Sequence, residues 1–213
     1  MIKDGLKLED DYNKLIKHVS EDIVSKSKHS LVIAEELRKM NVKLNKKNVT
    51  RWNSILFMVR SVLKLSPNDF KTIRSEMIVD TKEKIEVRRK FDLSSKEREM
   101  LEEIKNILEA FEFFTDELQG NRVNLSRVYP GVIFLKEKLK PDGAIYTKNL
   151  RKNLLESLNK RFESILDDEV IIFSTVLDPN FGLRFIEKKK QFEVKARLCA
   201  HMKKELASQQ VLN

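Results

Sequence analysis

The sequence predicts a mainly α protein, a multi-helix array joined by short loops. Three observations predict it. Apolar residues recur at three- and four-residue steps along most of the chain, the period of an amphipathic helix. Only five glycines and four prolines interrupt 213 residues. The composition is 41% hydrophobic and 35% charged, apolar enough for a core and too patterned for a disordered chain.

The helices follow in order. Tyr12, Leu15, Ile16, Val19 and Ile23 lie on one face of a helix over 9–26. Leu31, Ile33, Ala34, Leu37 and Met40 give a second over 29–40, followed by the polar joint NVKLNKKN. Thr50 has the hydroxyl of an N-cap for the next helix, which carries Ile55, Leu56, Val59, Val62 and Leu63 on one side. That helix should stop near Ser66, because Pro67 disfavours helical geometry in the residue before it. A short helix is expected over 67–79 and a charged connection over 80–92. Ser94 and Glu97 have capping-box spacing at the head of the clearest helix. Its stripe is Met100, Leu101, Ile104, Leu108, Phe111 and Leu118, and Gly120 is a natural stop. The cluster Phe111, Phe113 and Phe114 reads as core. In the helix expected over 125–139, Pro130 and Gly131 should introduce a kink or delay the start. KPDG at 140–143 is turn chemistry. Leu150, Leu154, Leu158, Phe162 and Ile165 mark a long helix over 144–167. The continuous apolar run EVIIFSTVLDPNF fits either a buried strand or a buried helix turn, and period alone does not decide. A final helix is expected over 183–207, and the whole chain, 1–213, reads as a single helical domain.

Charge says more about association than about fold. The formal net charge is +9, and over half of the excess falls in 181–213, around EKKKQFEVKAR. Such a run is either a solvated helical face or a surface for phosphate. The longest apolar runs are too short to span a bilayer, so no membrane association is expected. The charged N-terminus MIKDGLKLEDDY lacks the apolar core of a secretory peptide. A lone cysteine, Cys199, suits a reducing compartment, nucleus or cytoplasm.

Catalytic and cofactor chemistry is not legible. The glycines are isolated, so there is no phosphate-cradling loop. His18, His29 and His201 are far apart, and Cys199 and His201 are too close in sequence for a zinc-finger pair. The carboxylates of LDDE at 166–169 read as a solvated helix end. Asp178, before Pro179, reads as a turn residue accepting backbone hydrogen bonds. No metal or other cofactor is expected.

Four blocks occur in an order that resembles the hAT superfamily of DNA transposases. The likeness is greatest to relatives carrying zinc-finger BED domains and to host genes derived from them. The blocks are KSKHSLVIAEELRKMNVKL, then VTRWNSILFMVRSVL, then ILEAFEFFTDELQGNRVNLSRVYPGVIFLKEKL, then FSTVLDPNFGLRF. Together they cover about 25–186. One departure is Gly182, where relatives commonly have lysine.

The resemblance implies a fold and an activity. The family has an RNase H-like core interrupted by a helical insertion, and two aspartates and a glutamate hold divalent metal for DNA cleavage. Here the strands that would carry the aspartates, the Cys-x-x-His element and the BED zinc ligands are missing, and no acid matches the catalytic three. The chain resembles the helical insertion region alone, with the RNase H-like core essentially missing, and is expected not to be an enzyme. In the family the Arg-Trp pair is implicated in handling distorted DNA ends. By resemblance Arg51 and Trp52 are candidate DNA contacts, a guanidinium for phosphate and an indole for an unstacked base. The alternative for Trp52 is core packing. Lys188, Lys189 and Lys190 are the candidate phosphate contacts of the basic segment. The expected partners are DNA and a second copy or a related transposase-derived protein. The alternative function is a helical protein–protein interaction module without DNA binding.

Overall fold

The computed structural model describes residues 9–48, 52–77, 82–119 and 124–211, which are 78% helical and contain no strand. The chain divides into two compact units. The first is Met1–Glu112 with Leu139–Ser157, and the second is Phe113–Lys138 with Leu158–Asn213.

In the first unit, Asp10–His18 runs through a π-helical turn, Val19–Ser25, into Lys26–His29. The predicted face is the buried one: Tyr12, Leu15, Ile16, Val19 and Ile23 are all at most 5% exposed. Leu31–Lys39 follows, with the Ser30 hydroxyl accepting from the Ile33 amide. Its apolar stripe is narrower than expected. Ile33 and Leu37 are buried, whereas Ala34 is exposed and Leu31 is 88% exposed. Asn41 stops this helix by adopting φ +54°. The amides of Asn41 and Val42 then bond the Arg38 and Leu37 carbonyls, the double closure of a left-handed helix end.

Asn53–Leu63 buries Leu56, Val59 and Val62 as the period requires. Thr50 and its predicted cap lie outside the described residues. Pro67 heads Pro67–Glu76 at the position where its missing N–H costs nothing, and Ser66 and Asp69 form a reciprocal capping box. The charged 80–92 segment, expected as a connection, contains the helix Lys82–Lys90. The helix itself has no buried residue, and the Glu86–Lys90 pair at 2.8 Å supplies local support instead of a core face. Ser95–Gln119 starts at the predicted box: the Ser94 hydroxyl accepts from the Glu97 amide at 3.2 Å, and the Glu97 carboxylate accepts from the Ser94 amide at 2.9 Å. Gly120 lies outside the described residues.

Glu103 ties this helix to the segment 144–147. Its carboxylate accepts the amides of Ile145 at 2.9 Å and Thr147 at 3.0 Å, and the Thr147 hydroxyl at 2.6 Å. Burial works to raise its pKa, but the Thr147 hydroxyl and three backbone amides outweigh that and hold the carboxyl below its usual range. The residues 144–147 are thereby held as an irregular turn, and the following helix begins at Lys148, later than its period suggests.

In the second unit a 3-10 turn, Leu125–Arg127, precedes the helix Val128–Lys138. Pro130 is in the first turn, where a missing N–H leaves no intrahelical gap, so the start is delayed and the helix is not broken. Gly131 is there for proximity: a Cβ would stand 2.5 Å from Cε2 of Phe114. Phe114 is buried and meets Phe162 edge-on at 6.0 Å. Phe113, expected in the core, is 55% exposed and rests on Phe134. The apolar run at 169–177 is a helix, Glu169–Leu177, capped by Asp168 through the Val170 amide at 2.8 Å. It packs Ile172 and Phe173 with Tyr129, Ile186 and Val194. The last helix is Lys188–Val211, starting five residues later than expected because 178–186 is a succession of turns.

Candidate nucleic-acid interface

Trp52 is half-buried in the turn ahead of Asn53–Leu63. Its ring meets Phe111 of the Ser95–Gln119 helix edge-on, with centroids 6.4 Å apart and planes at 70°. That geometry uses part of the indole for packing and leaves part open. Arg51 lies outside the described residues. Trp52 belongs to the first unit, and Lys188, Lys189 and Lys190 to the second.

The three lysines occupy the first turn of the closing helix, and all are exposed. Lys188–Val211 carries seven basic side chains against two acidic ones. Several of these charges are already engaged. Lys189 lies 3.1 Å from Glu187, whose carboxyl is held below its usual range by that hydrogen bond, by the charge of Lys189 and by Lys190. Arg197 reaches Glu169 through Nε at 2.8 Å and Glu193 at 3.6 Å. Lys188, Lys195 and Lys203 have no ion-pair partner among the described residues. Lys195 and Lys203 extend the cationic surface beyond the three residues singled out from sequence. Their signal was the 3.6 period applied to charges, which places them within about 60° of Lys188 around the helix.

Two of the resemblance blocks meet in the second unit. The Ser126 hydroxyl donates to Asp178 at 2.6 Å. Asp178 also accepts the amide and side-chain nitrogen of Asn180, each at 2.9 Å. Thr175 Oγ1 lies 3.0 Å from both the Ser126 and Ile171 carbonyls. The Ser126 hydroxyl first, and then the Asn180 amide, hold the Asp178 carboxyl below its usual range against a smaller opposing effect of burial. Asp178 therefore serves a turn, as its place before Pro179 suggests. Gly182 adopts φ +57°, a conformation lysine enters only with strain.

The remaining candidates have structural surroundings. Asp168 caps a helix and Glu169 pairs with Arg197, which accounts for two acids of the LDDE run. Cys199 is exposed, whereas the His201 ring packs at 5.7 Å from Phe173. Among the described residues no three His, Cys, Asp or Glu side chains converge as a metal site, and no helix is long and apolar enough to cross a membrane. A cleft of about 670 Å³ in the first unit is lined by Asp11, Lys14, His18, Lys96, Glu97 and Tyr146. Its charges alternate in sign, and it contains none of the predicted contacts. No family model, no curated protein and no solved structure matches the chain.

Proposed function

We propose that the chain is a non-catalytic derivative of an hAT-type transposase, corresponding to the family's helical insertion, and that its remaining activity is DNA binding. One observation carries the binding half: Lys188, Lys189 and Lys190 are exposed together in the first turn of a helix. The positive end of the helix dipole makes that turn unfavourable for lysine and favourable for an anion. A DNA phosphate placed there is attracted by both the lysines and the dipole. The family half draws on the order of the four sequence blocks, and the Ser126–Asp178 contact joins two of them within one unit. In this reading the open part of the Trp52 indole accepts an unpaired base, and a nuclear location follows from the DNA partner.

The test is the salt dependence of binding to duplex DNA. The logarithm of the association constant should fall linearly with the logarithm of salt concentration. Replacing Lys188, Lys189 and Lys190 with alanine should reduce that slope by about 2–3, at roughly 0.9 per phosphate contact. Trp52→Ala should weaken single-stranded binding by up to ~1–3 kcal/mol, the worth of one stacked base. Binding that ignores salt, or that survives the triple substitution unchanged, refutes the DNA reading. Magnesium- or manganese-dependent nicking by the purified chain refutes the non-catalytic one.

A further inference from the structure

The closing helix leaves an apolar seam uncovered. Phe192 is 84% exposed, Met202 50% and Leu206 59%, and Cys199 is exposed beside them. Phe192, Cys199 and Leu206 are seven residues apart, and Met202 is three beyond Cys199. At 3.6 residues per turn these four lie on one face, over about 20 Å of helix. The opposite requirement, seating the helix on its own unit, is met by Val194, which is buried, and by Leu198. The seam is therefore surplus to the fold.

The charges along it say what covers it. Lys188, Lys195 and Lys203 fall within or beside the seam, and both acids of the helix, Glu193 and Glu205, fall outside it. A second copy would set lysine against lysine. A membrane surface suits lysines flanking a broad apolar face, whereas Lys195 sits inside a narrow one, between Phe192, Cys199 and Met202. A groove that is apolar along its floor and carries carboxylates along its rim satisfies both the aromatic and aliphatic anchors and the lysines.

We infer that the Phe192–Leu206 face is a docking seam for the acidic-rimmed apolar groove of a protein partner. One helix face of this length buries only a few hundred Å² a side, which places the contact among weak, transient interfaces. The inference differs from the DNA reading in its anchors, Phe192, Met202 and Leu206, which make no phosphate contact, but it shares Lys188, Lys195 and Lys203 with the cationic surface, so the two partners would compete for this helix.

The probe is calcium-loaded calmodulin, an acidic protein whose apolar grooves take basic amphipathic helices, titrated calorimetrically with the full chain. Binding that disappears on calcium chelation is the expected result. Phe192→Asp with Leu206→Asp should raise Kd at least about tenfold, the loss of two apolar anchors. Phe192→Leu, which keeps an apolar side chain and disturbs no buried contact, should retain binding, as should Lys189→Ala with Lys190→Ala. Absence of calcium-dependent binding overturns the inference, as does binding indifferent to the aspartate pair. So does a dimer in sedimentation, or capture by phosphatidylserine vesicles, that the same aspartate pair abolishes. Loss of the DNA salt slope with calmodulin binding intact would remove the DNA reading alone.

Discussion

Gly131→Ala tests the packing of the second unit. In most helices this substitution stabilises by about 0.5–1 kcal/mol, because alanine gives up less backbone freedom. Here the added methyl would meet two atoms of the Phe114 ring, Cε2 at 2.5 Å and Cδ2 at 2.6 Å. An ordinary carbon contact is about 3.5–4.0 Å, so ring and helix must part by about 1 Å. Phe114 has little room to retreat, being 6% exposed and edge-on to Phe162. Overpacking of this kind costs about 1–3 kcal/mol. Subtracting the propensity gain leaves a net destabilisation of roughly 0–2.5 kcal/mol. Urea unfolding followed by circular dichroism reads the change; Trp52 fluorescence reports the first unit and serves as an internal reference. In a Phe114→Leu background the ring edge is gone, and Gly131→Ala should become neutral or stabilising. A raised urea midpoint for Gly131→Ala alone refutes the reasoning. An equal cost in both backgrounds does so too, since contacting residues should couple.

Two further outcomes follow from the hydrogen-bonded carboxylates. The Glu103 carboxyl has a folded-state pKa lowered by Thr147 and the amides of 145–147, against the opposing pull of burial. Its contribution is therefore fully present above the unfolded value of 4.5 and is lost as pH falls through the lower folded value. Glu103→Gln should destabilise the chain at pH 7, and its urea midpoint should converge on that of the wild type as pH drops below 4.5 and through the lower folded value; a gap that stays constant with pH would show that the charge is irrelevant. Asp178→Ala and Ser126→Ala remove opposite ends of one hydrogen bond. The double substitution should lower the thermal midpoint by less than the sum of the singles, and full additivity in calorimetry would sever the proposed link between the two sequence blocks.

Much of the helical architecture was legible because helix signals are local. The Ser94–Glu97 box could be read from a three-residue spacing, and the buried faces of Asp10–His18 and Asn53–Leu63 from the 3.6 period. The same locality explains the failures. Leu31 satisfies the period of its helix yet stands 88% exposed, and Phe113 sits between two buried phenylalanines yet is 55% exposed. Period states which residues share a face and leaves open how wide a neighbour covers that face. Lys82–Lys90 shows the converse, a helix with no buried face at all, for which an apolar stripe gives no signal. For the candidate interface, the lysine run was readable as charge, but the seam of Phe192, Met202 and Leu206 was not, since exposure depends on what packs beside the helix.

By itself the sequence determined a helical chain, the Ser94–Glu97 cap and a cationic final segment, because each rests on residues within a turn or two of one another. Only the tertiary structure decided between strand and helix at 169–177, where Ile172 and Phe173 join Tyr129, Ile186 and Val194 in one cluster. It alone gave Gly131 its purpose, since the ring that excludes a side chain there belongs to another helix. It also joined Glu103 to Thr147 and Ser126 to Asp178 across 44 and 52 residues. The physical reason is that hydrogen bonds and ring contacts form between neighbours in space, and the sequence orders only neighbours along the chain.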